Sequence, residues 1–154
     1  MMRKTFHNVL AFRYDENHSG NHYFFSGRYY NAGDLAEIAV KKGLGLPAVK
    51  DANARYDETS DLPRYNASVK SSKATLTSAR LGDDFEESLE TYFKNVKASL
   101  WVWVERNGYD FRTYWMSRKE FAEFTRLFAR WDNGRKVIRY KTTNKEMIEW
   151  LEGR

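Results

Sequence analysis

The sequence predicts an α/β (α+β) fold in which helices flank a mixed central sheet. Segments with the two-residue alternation of strands and segments with helical spacing follow one another along the chain. Residues 98–105 form a nearly continuous apolar run, which is typical of a strand covered on both faces. The pair Asn107-Gly108 then predicts a tight turn into an antiparallel strand. The length of 154 residues suits a single domain, 1–154.

Short polar residues mark the predicted helix starts, because their side chains accept hydrogen bonds from the free backbone N–H groups of the first turn. Asp34 and Asp84 are such residues, and Ser117 with Glu120 three residues later predicts a capping box. Apolar residues at helical spacing follow each start and predict the buried faces. In chain order, the predicted elements are extended segments at 5–14 and 22–26, a helix at 34–42, a short strand within 65–76, a helix at 84–96, strands at 98–105 and 109–116, a helix at 117–131, a strand at 137–141 and a helix from about residue 144.

Charge and composition narrow the classes of function. Lys and Arg number 26 against 21 Asp and Glu, which gives a net charge of +5 and a pI near 9.3. Such a balance favours polyanions such as nucleic acid, and an ordinary solvated basic surface explains it equally well. The chain has no cysteine, which excludes disulfides, thiolate metal sites and cysteine nucleophiles. With no apolar run of membrane-spanning length and no secretory signal, we expect a cytoplasmic protein without a membrane partner.

Acidic residues and a lysine are the main remaining candidates for chemistry. All three histidines lie within the first 22 residues, and the chain has neither a Gly-x-x-x-x-Gly-Lys phosphate loop nor a Gly-x-Ser-x-Gly elbow. Asp61 precedes a predicted strand that carries Lys70, and the predicted helix with Glu37 comes before both. We expect these three groups to converge at one end of the sheet.

Glu37, Asp61 and the triplet Ser68-Val69-Lys70, in this order of elements, resemble the core of the PD-(D/E)XK nuclease superfamily. The run Val-Lys-Ser-Ser-Lys-Ala-Thr-Leu is similar to the segment after the catalytic lysine in nuclease-like proteins of phages and mobile elements. The resemblance covers roughly residues 30 to 140. It implies a restriction-endonuclease-like fold and a Mg²⁺-dependent nuclease that hydrolyses DNA phosphodiester bonds.

The resemblance also implies a role for each residue. Asp61 would be the main metal ligand, Glu37 a second carboxylate ligand and the backbone carbonyl of Val69 a further one. Lys70 would be the catalytic lysine, which orients the attacking water or stabilises developing charge. Mg²⁺ prefers oxygen ligands and keeps several waters, so one or two carboxylates suffice. The cations expected to contact the phosphates of nucleic acid, DNA rather than RNA, are Arg64, Lys73 and Arg80.

Ser68 departs from the family pattern, which has Asp or Glu at this position. A neutral hydroxyl is a poor Mg²⁺ ligand. Either Glu37 supplies the missing carboxylate, with Asp57 and Glu58 of the preceding loop as further candidates, or the protein is an inactive nuclease-like module. Such a module would bind nucleic acid or a partner protein, as a phage-type inhibitor or regulator would. Purely local roles are alternatives too: Asp61 as a turn residue, Lys70 as a charge that protects an edge strand, and Glu37 as the i,i+4 partner of Lys41.

Overall fold

The computed structural model describes residues 1–46, 65–76 and 82–154, which form a mixed α+β fold. The strands are β1 (Met2–Phe6), β2 (Arg13–Tyr14), β3 (Tyr23–Phe25), β4 (Arg28–Tyr30), β5 (Ala67–Ser71), β6 (Thr75–Leu76), β7 (Leu100–Asn107), β8 (Asp110–Ser117), β9 (Ala129–Asp132) and β10 (Val137–Tyr140). The helices are α1 (Ala32–Gly43), α2 (Phe85–Asn95), α3 (Arg118–Phe128) and α4 (Lys145–Glu152). None of these described helices is long and apolar enough to cross a membrane.

Among the described residues, the largest sheet has four strands in the order β1-β8-β7-β5. β7 and β8 form an antiparallel hairpin, and Gly108 in its turn has a φ of 62°, a conformation that glycine adopts without strain. β1 pairs antiparallel with the other side of β8. β5 pairs in parallel with β7, and such a pair needs a crossover connection, which here contains α2.

Alternate side chains of β7 enter two hydrophobic cores on opposite sides of the large sheet. Trp101 and Trp103 belong to the α2–α3 core, which these two helices and α4 complete. Val102 and Val104 belong to the α1 core, which is built mainly on α1. All four side chains are at most 2% exposed, so both faces of β7 are covered, as its apolar run predicts.

A small three-stranded sheet packs against each core. The sheet β2-β3-β4 contributes partly buried rings, among them Tyr23 and Phe25, to the α1 core. The sheet β6-β10-β9 contributes to the α2–α3 core. In this second sheet Ile138 is the register partner of both Leu76 and Trp131, so these three side chains share its inner face.

Local capping signals are confirmed at two helix starts. Asp84 accepts a hydrogen bond from the Glu87 backbone N–H at 2.9 Å and caps α2. Ser117 and Glu120 form the reciprocal capping box of α3, with distances of 3.2 and 3.0 Å. The helix expected from about residue 144 is also present as α4.

Three predicted boundaries are wrong. Asn31 rather than Asp34 caps α1, because the Asn31 side chain accepts a hydrogen bond from the Asp34 N–H at 2.8 Å. The extended segment at 5–14 is two separate strands, and Asn8 between them has a φ of 50°. The helix expected to reach residue 131 ends at Phe128, because the next four residues pair with β10 as strand β9.

Candidate functional site

β5 carries the triplet that the resemblance makes catalytic. Val69 is 5% exposed, and its side chain belongs to the α1 core. Because side chains alternate along a strand, Ser68 and Lys70 point to the opposite side, where their register partners on β7 are Trp101 and Trp103. Ser68 is 7% exposed and Lys70 is half-buried.

Glu37 lies in the layer on the other side of β5. It is half-buried in α1, and its neighbours Ala36 and Ile38 belong to the α1 core. The Oε2 atom of Glu37 is buried. Since α1 covers the face of β5 that carries Val69, the structure does not bring Glu37 and Lys70 to one side of the sheet.

The remaining members of the predicted catalytic and binding set, Asp61, Arg64 and Arg80, lie outside the described residues. Within residues 1–46, 65–76 and 82–154, no group of three or more acidic or histidine side chains is placed to hold a metal ion. Ser68 presents a hydroxyl, a poor Mg²⁺ ligand, where the family pattern has Asp or Glu. The described residues do not by themselves define a Mg²⁺ site, and the catalytic set stays a prediction.

A basic surface lies on the sheet β6-β10-β9. Arg139 is the register partner of both Arg130 and Thr75, so these three side chains share the outer face, opposite the buried Ile138. The two arginines thus lie directly across from each other on neighbouring strands, an arrangement of like charges that destabilises a sheet.

Two lysines extend this surface at the end of β10. The backbone N–H of Lys73 donates to the carbonyl oxygen of Lys141 at 3.3 Å, and both side chains are exposed. At the other end, the β9–β10 turn exposes two further cations. We call the whole surface the basic sheet face, and its residues are Lys73, Arg130, Arg135, Lys136, Arg139 and Lys141.

The charge of this surface is concentrated and largely unpaired. Residues 129–141 contain five basic side chains and one acidic one, which gives +4, against +5 for the whole chain. Arg139 pairs with Asp132 at 3.1 Å. Within the described part of the chain, no carboxylate lies within ion-pair distance of the other five cations, Lys73, Arg130, Arg135, Lys136 and Lys141.

Asp132 keeps its negative charge within this cationic surface. Its carboxylate accepts hydrogen bonds from the backbone N–H groups of Gly134 and Arg135, at 3.1 and 3.2 Å. The hydrogen bond from the Arg135 N–H and the nearby guanidinium of Arg139 hold the pKa of Asp132 below its usual value. The carboxylate is therefore ionised at neutral pH, and its hydrogen bonds stabilise the turn.

The basic sheet face, apart from Lys73, is absent from the binding residues predicted from sequence. The apolar spacing predicts a helix up to residue 131, which separates Arg130 from the cations of the following strand. The density of Lys and Arg between 130 and 141 was the available signal. Only the pairing of β9 with β10 shows that these side chains share one surface.

Comparison with protein-family models, curated proteins and solved structures gives no match. The structure defines a mixed α+β fold whose sheet β6-β10-β9 has a basic outer face.

Proposed function

We propose that this protein binds nucleic acid, DNA rather than RNA, through the basic sheet face. The observation that supports this is a set of five cations on the sheet β6-β10-β9 and its adjoining turns, none of which has a carboxylate of the described residues within ion-pair distance. Phosphate contacts by Lys and Arg supply most of the affinity of proteins that bind nucleic acid without reading its sequence. Asp132 already pairs with Arg139, so Arg130 opposite it is the strand arginine that such a ligand would neutralise.

Charge reversal on this face is expected to weaken DNA binding strongly. The variant Arg130→Glu with Lys141→Glu should lower affinity at least about tenfold at 0.1 M salt and reduce the slope of log K against log salt by about 2, since two phosphate contacts are lost. Fluorescence anisotropy with a labelled duplex, repeated over a salt series, measures both quantities.

The matched control is Lys94→Glu with Lys119→Glu, which changes the net charge equally at exposed positions on α2 and α3. This control should bind within about threefold of wild type, because the remaining effect of net charge is screened over a Debye length. Equal losses in the two variants would show that net charge, and not the basic sheet face, governs binding. Absence of any salt-dependent binding by the wild type would refute the proposed function itself.

A restriction-endonuclease-like fold with metal-dependent DNA cleavage is the second candidate. The parallel pair of β5 and β7, joined through α2, supports it, because Lys70 then lies on the strand before the crossover helix, as the resemblance implies. Asp61 is the carboxylate on which this candidate depends.

Cleavage of supercoiled plasmid in Mg²⁺ or Mn²⁺ tests this second candidate. If Lys70 is catalytic, Lys70→Ala should lower the rate by about 100-fold or more, since loss of one group that stabilises transition-state charge has that effect. Lys94→Ala, on exposed α2, should cleave at the wild-type rate. The catalytic role fails if wild type and Lys70→Ala show the same negligible cleavage.

A further inference from the structure

The turn between β9 and β10 is held in one conformation by its own side chains. Oδ1 of Asp132 accepts from two backbone N–H groups of the turn, and Oδ2 accepts from the Arg139 guanidinium at 3.1 and 3.3 Å. Asn133 accepts from Nζ of Lys136 at 2.8 Å, and Lys136 itself has a φ of 55°. Residues 133–136 are all exposed, so this ordered turn presents Arg135 and Lys136 to solvent.

The aromatic rings of these strands point away from the basic sheet face. Trp131 packs against the α2–α3 core, and Tyr140 is 2% exposed within it. No ring from the described residues of β6, β9 or β10 lies on the outer face. Single strands are bound largely by stacking bases on aromatic side chains, so this face lacks the groups that a single strand requires.

The shape of the β9–β10 hairpin suits a duplex instead. Neighbouring strands lie about 4.8 Å apart, and the major groove of B-DNA, about 12 Å wide, admits a two-stranded ribbon. Among the described residues, β6 pairs only with Ile138 and Arg139 of β10, so the turn extends beyond that pairing. Its cations, Arg135 and Lys136, are therefore placed to reach the phosphates on either side of a groove.

We infer that the ligand is a nucleic-acid duplex whose groove receives the β9–β10 turn in the conformation that Asp132 holds. This inference rests on the proposed function and adds the form of the nucleic acid and a positioning role for Asp132. The positioning role and the charge of Asp132 predict opposite changes in affinity when the carboxylate is removed. If charge alone mattered, removal of a carboxylate from a cationic surface would raise affinity for phosphate. If Asp132 orders the turn, its removal lowers affinity, because the ligand must then order the cations itself.

Two substitutions of Asp132 separate charge from positioning. Asp132→Ala removes the acceptors of the turn, and we expect about three- to tenfold weaker binding of duplex DNA at 0.1 M salt, from the added cost of ordering the turn. Asp132→Asn keeps one side-chain oxygen as acceptor and removes the charge, so it should bind at least as tightly as wild type. Wild type should bind the duplex at least about tenfold more tightly than a single strand of equal length, because the described strand residues offer no stacking ring on this face.

The decisive measurement is anisotropy of duplex and single-stranded oligonucleotides with wild type, Asp132→Ala and Asp132→Asn under one buffer. Weaker binding by the alanine variant, restored by asparagine, supports the positioning role, which a general loss of stability would not reproduce. If Asp132→Ala binds the duplex as tightly as wild type does, Asp132 has no positioning role. If wild type binds the single strand as tightly as the duplex, the inference that the ligand is a duplex is wrong. In both cases the wild type still binds, which distinguishes these failures from failure of the proposed function.

Discussion

Replacing Phe121 by alanine is expected to lower the free energy of unfolding by about 3–5 kcal/mol, the usual cost of removing a fully buried ring. Phe121 is 0% exposed, and its ring stacks on Trp101 with centroids 5.2 Å apart and planes within 6°. The rings of Phe124 and Tyr140 also lie beside it, with centroid separations of 6.4 and 5.9 Å. A cavity at this position is enclosed on several sides by rigid rings, so little of it can close. Urea unfolding, followed by circular dichroism, measures the change.

Leu127→Ala is the matched control, because Leu127 lies on the same helix and is 54% exposed. Both substitutions place alanine in α3, and the exposed one should change stability by less than about 0.5 kcal/mol. The slope of the free energy against urea should stay constant in both variants. A loss below about 1 kcal/mol for Phe121→Ala would mean that the packing around this ring is loose.

The free energy of unfolding is expected to fall steeply as the pH rises above about 10, the ordinary pKa of tyrosine. Burial raises the pKa of Tyr140 well above that value. Burial and the hydrogen bond that Tyr114 donates to Glu152 at 2.6 Å likewise raise the pKa of Tyr114. Above pH 10 the unfolded chain releases both protons and the folded protein keeps them. The contribution of these two tyrosines to the free energy of unfolding is thus fully present below pH 10. Above pH 10 it falls by about 2.7 kcal/mol per pH unit, the slope for two protons.

Urea titrations between pH 9 and 11.5 test this slope. Tyr140→Phe should reduce it to that of one proton, and the Thr125 hydroxyl still has the Phe121 carbonyl as an acceptor at 2.7 Å. Tyr14→Phe is the control: Tyr14 is 55% exposed and its substitution should leave the slope unchanged. An equal slope in wild type and Tyr140→Phe would contradict a neutral, buried Tyr140 in the folded protein.

Features with local causes could be predicted from sequence. The caps at Asp84 and Ser117 depend on donors within three residues, and the Asn107-Gly108 turn depends on two adjacent residues. The apolar run of β7 reports burial on both faces, which the structure confirms. The coarse class of the fold, helices packed on a mixed sheet, follows from the order of such signals and is also confirmed.

Features with distant causes could not be predicted. β1 pairs with β8 across more than 100 residues of chain, and no local pattern specifies that partner. Trp131 fits the apolar spacing of α3 equally well as a helix residue, and only its pairing with β10 makes it a strand residue. The basic sheet face depends on that same pairing. The proposed catalytic set depends on Asp61. The relative positions of its residues are determined by tertiary structure, which a motif of residues separated in sequence does not specify.

The alternation of side chains along β7 has a consequence for cooperativity. Trp101 and Trp103 on one side and Val102 and Val104 on the other belong to two cores but share one backbone. Displacement of that strand would expose both cores to water at once, so neither layer has a low-energy partial opening that involves β7. We therefore expect the two cores to unfold as one unit. A substitution that destabilises the α2–α3 core should lower the free energy of unfolding of the α1 core by the same amount.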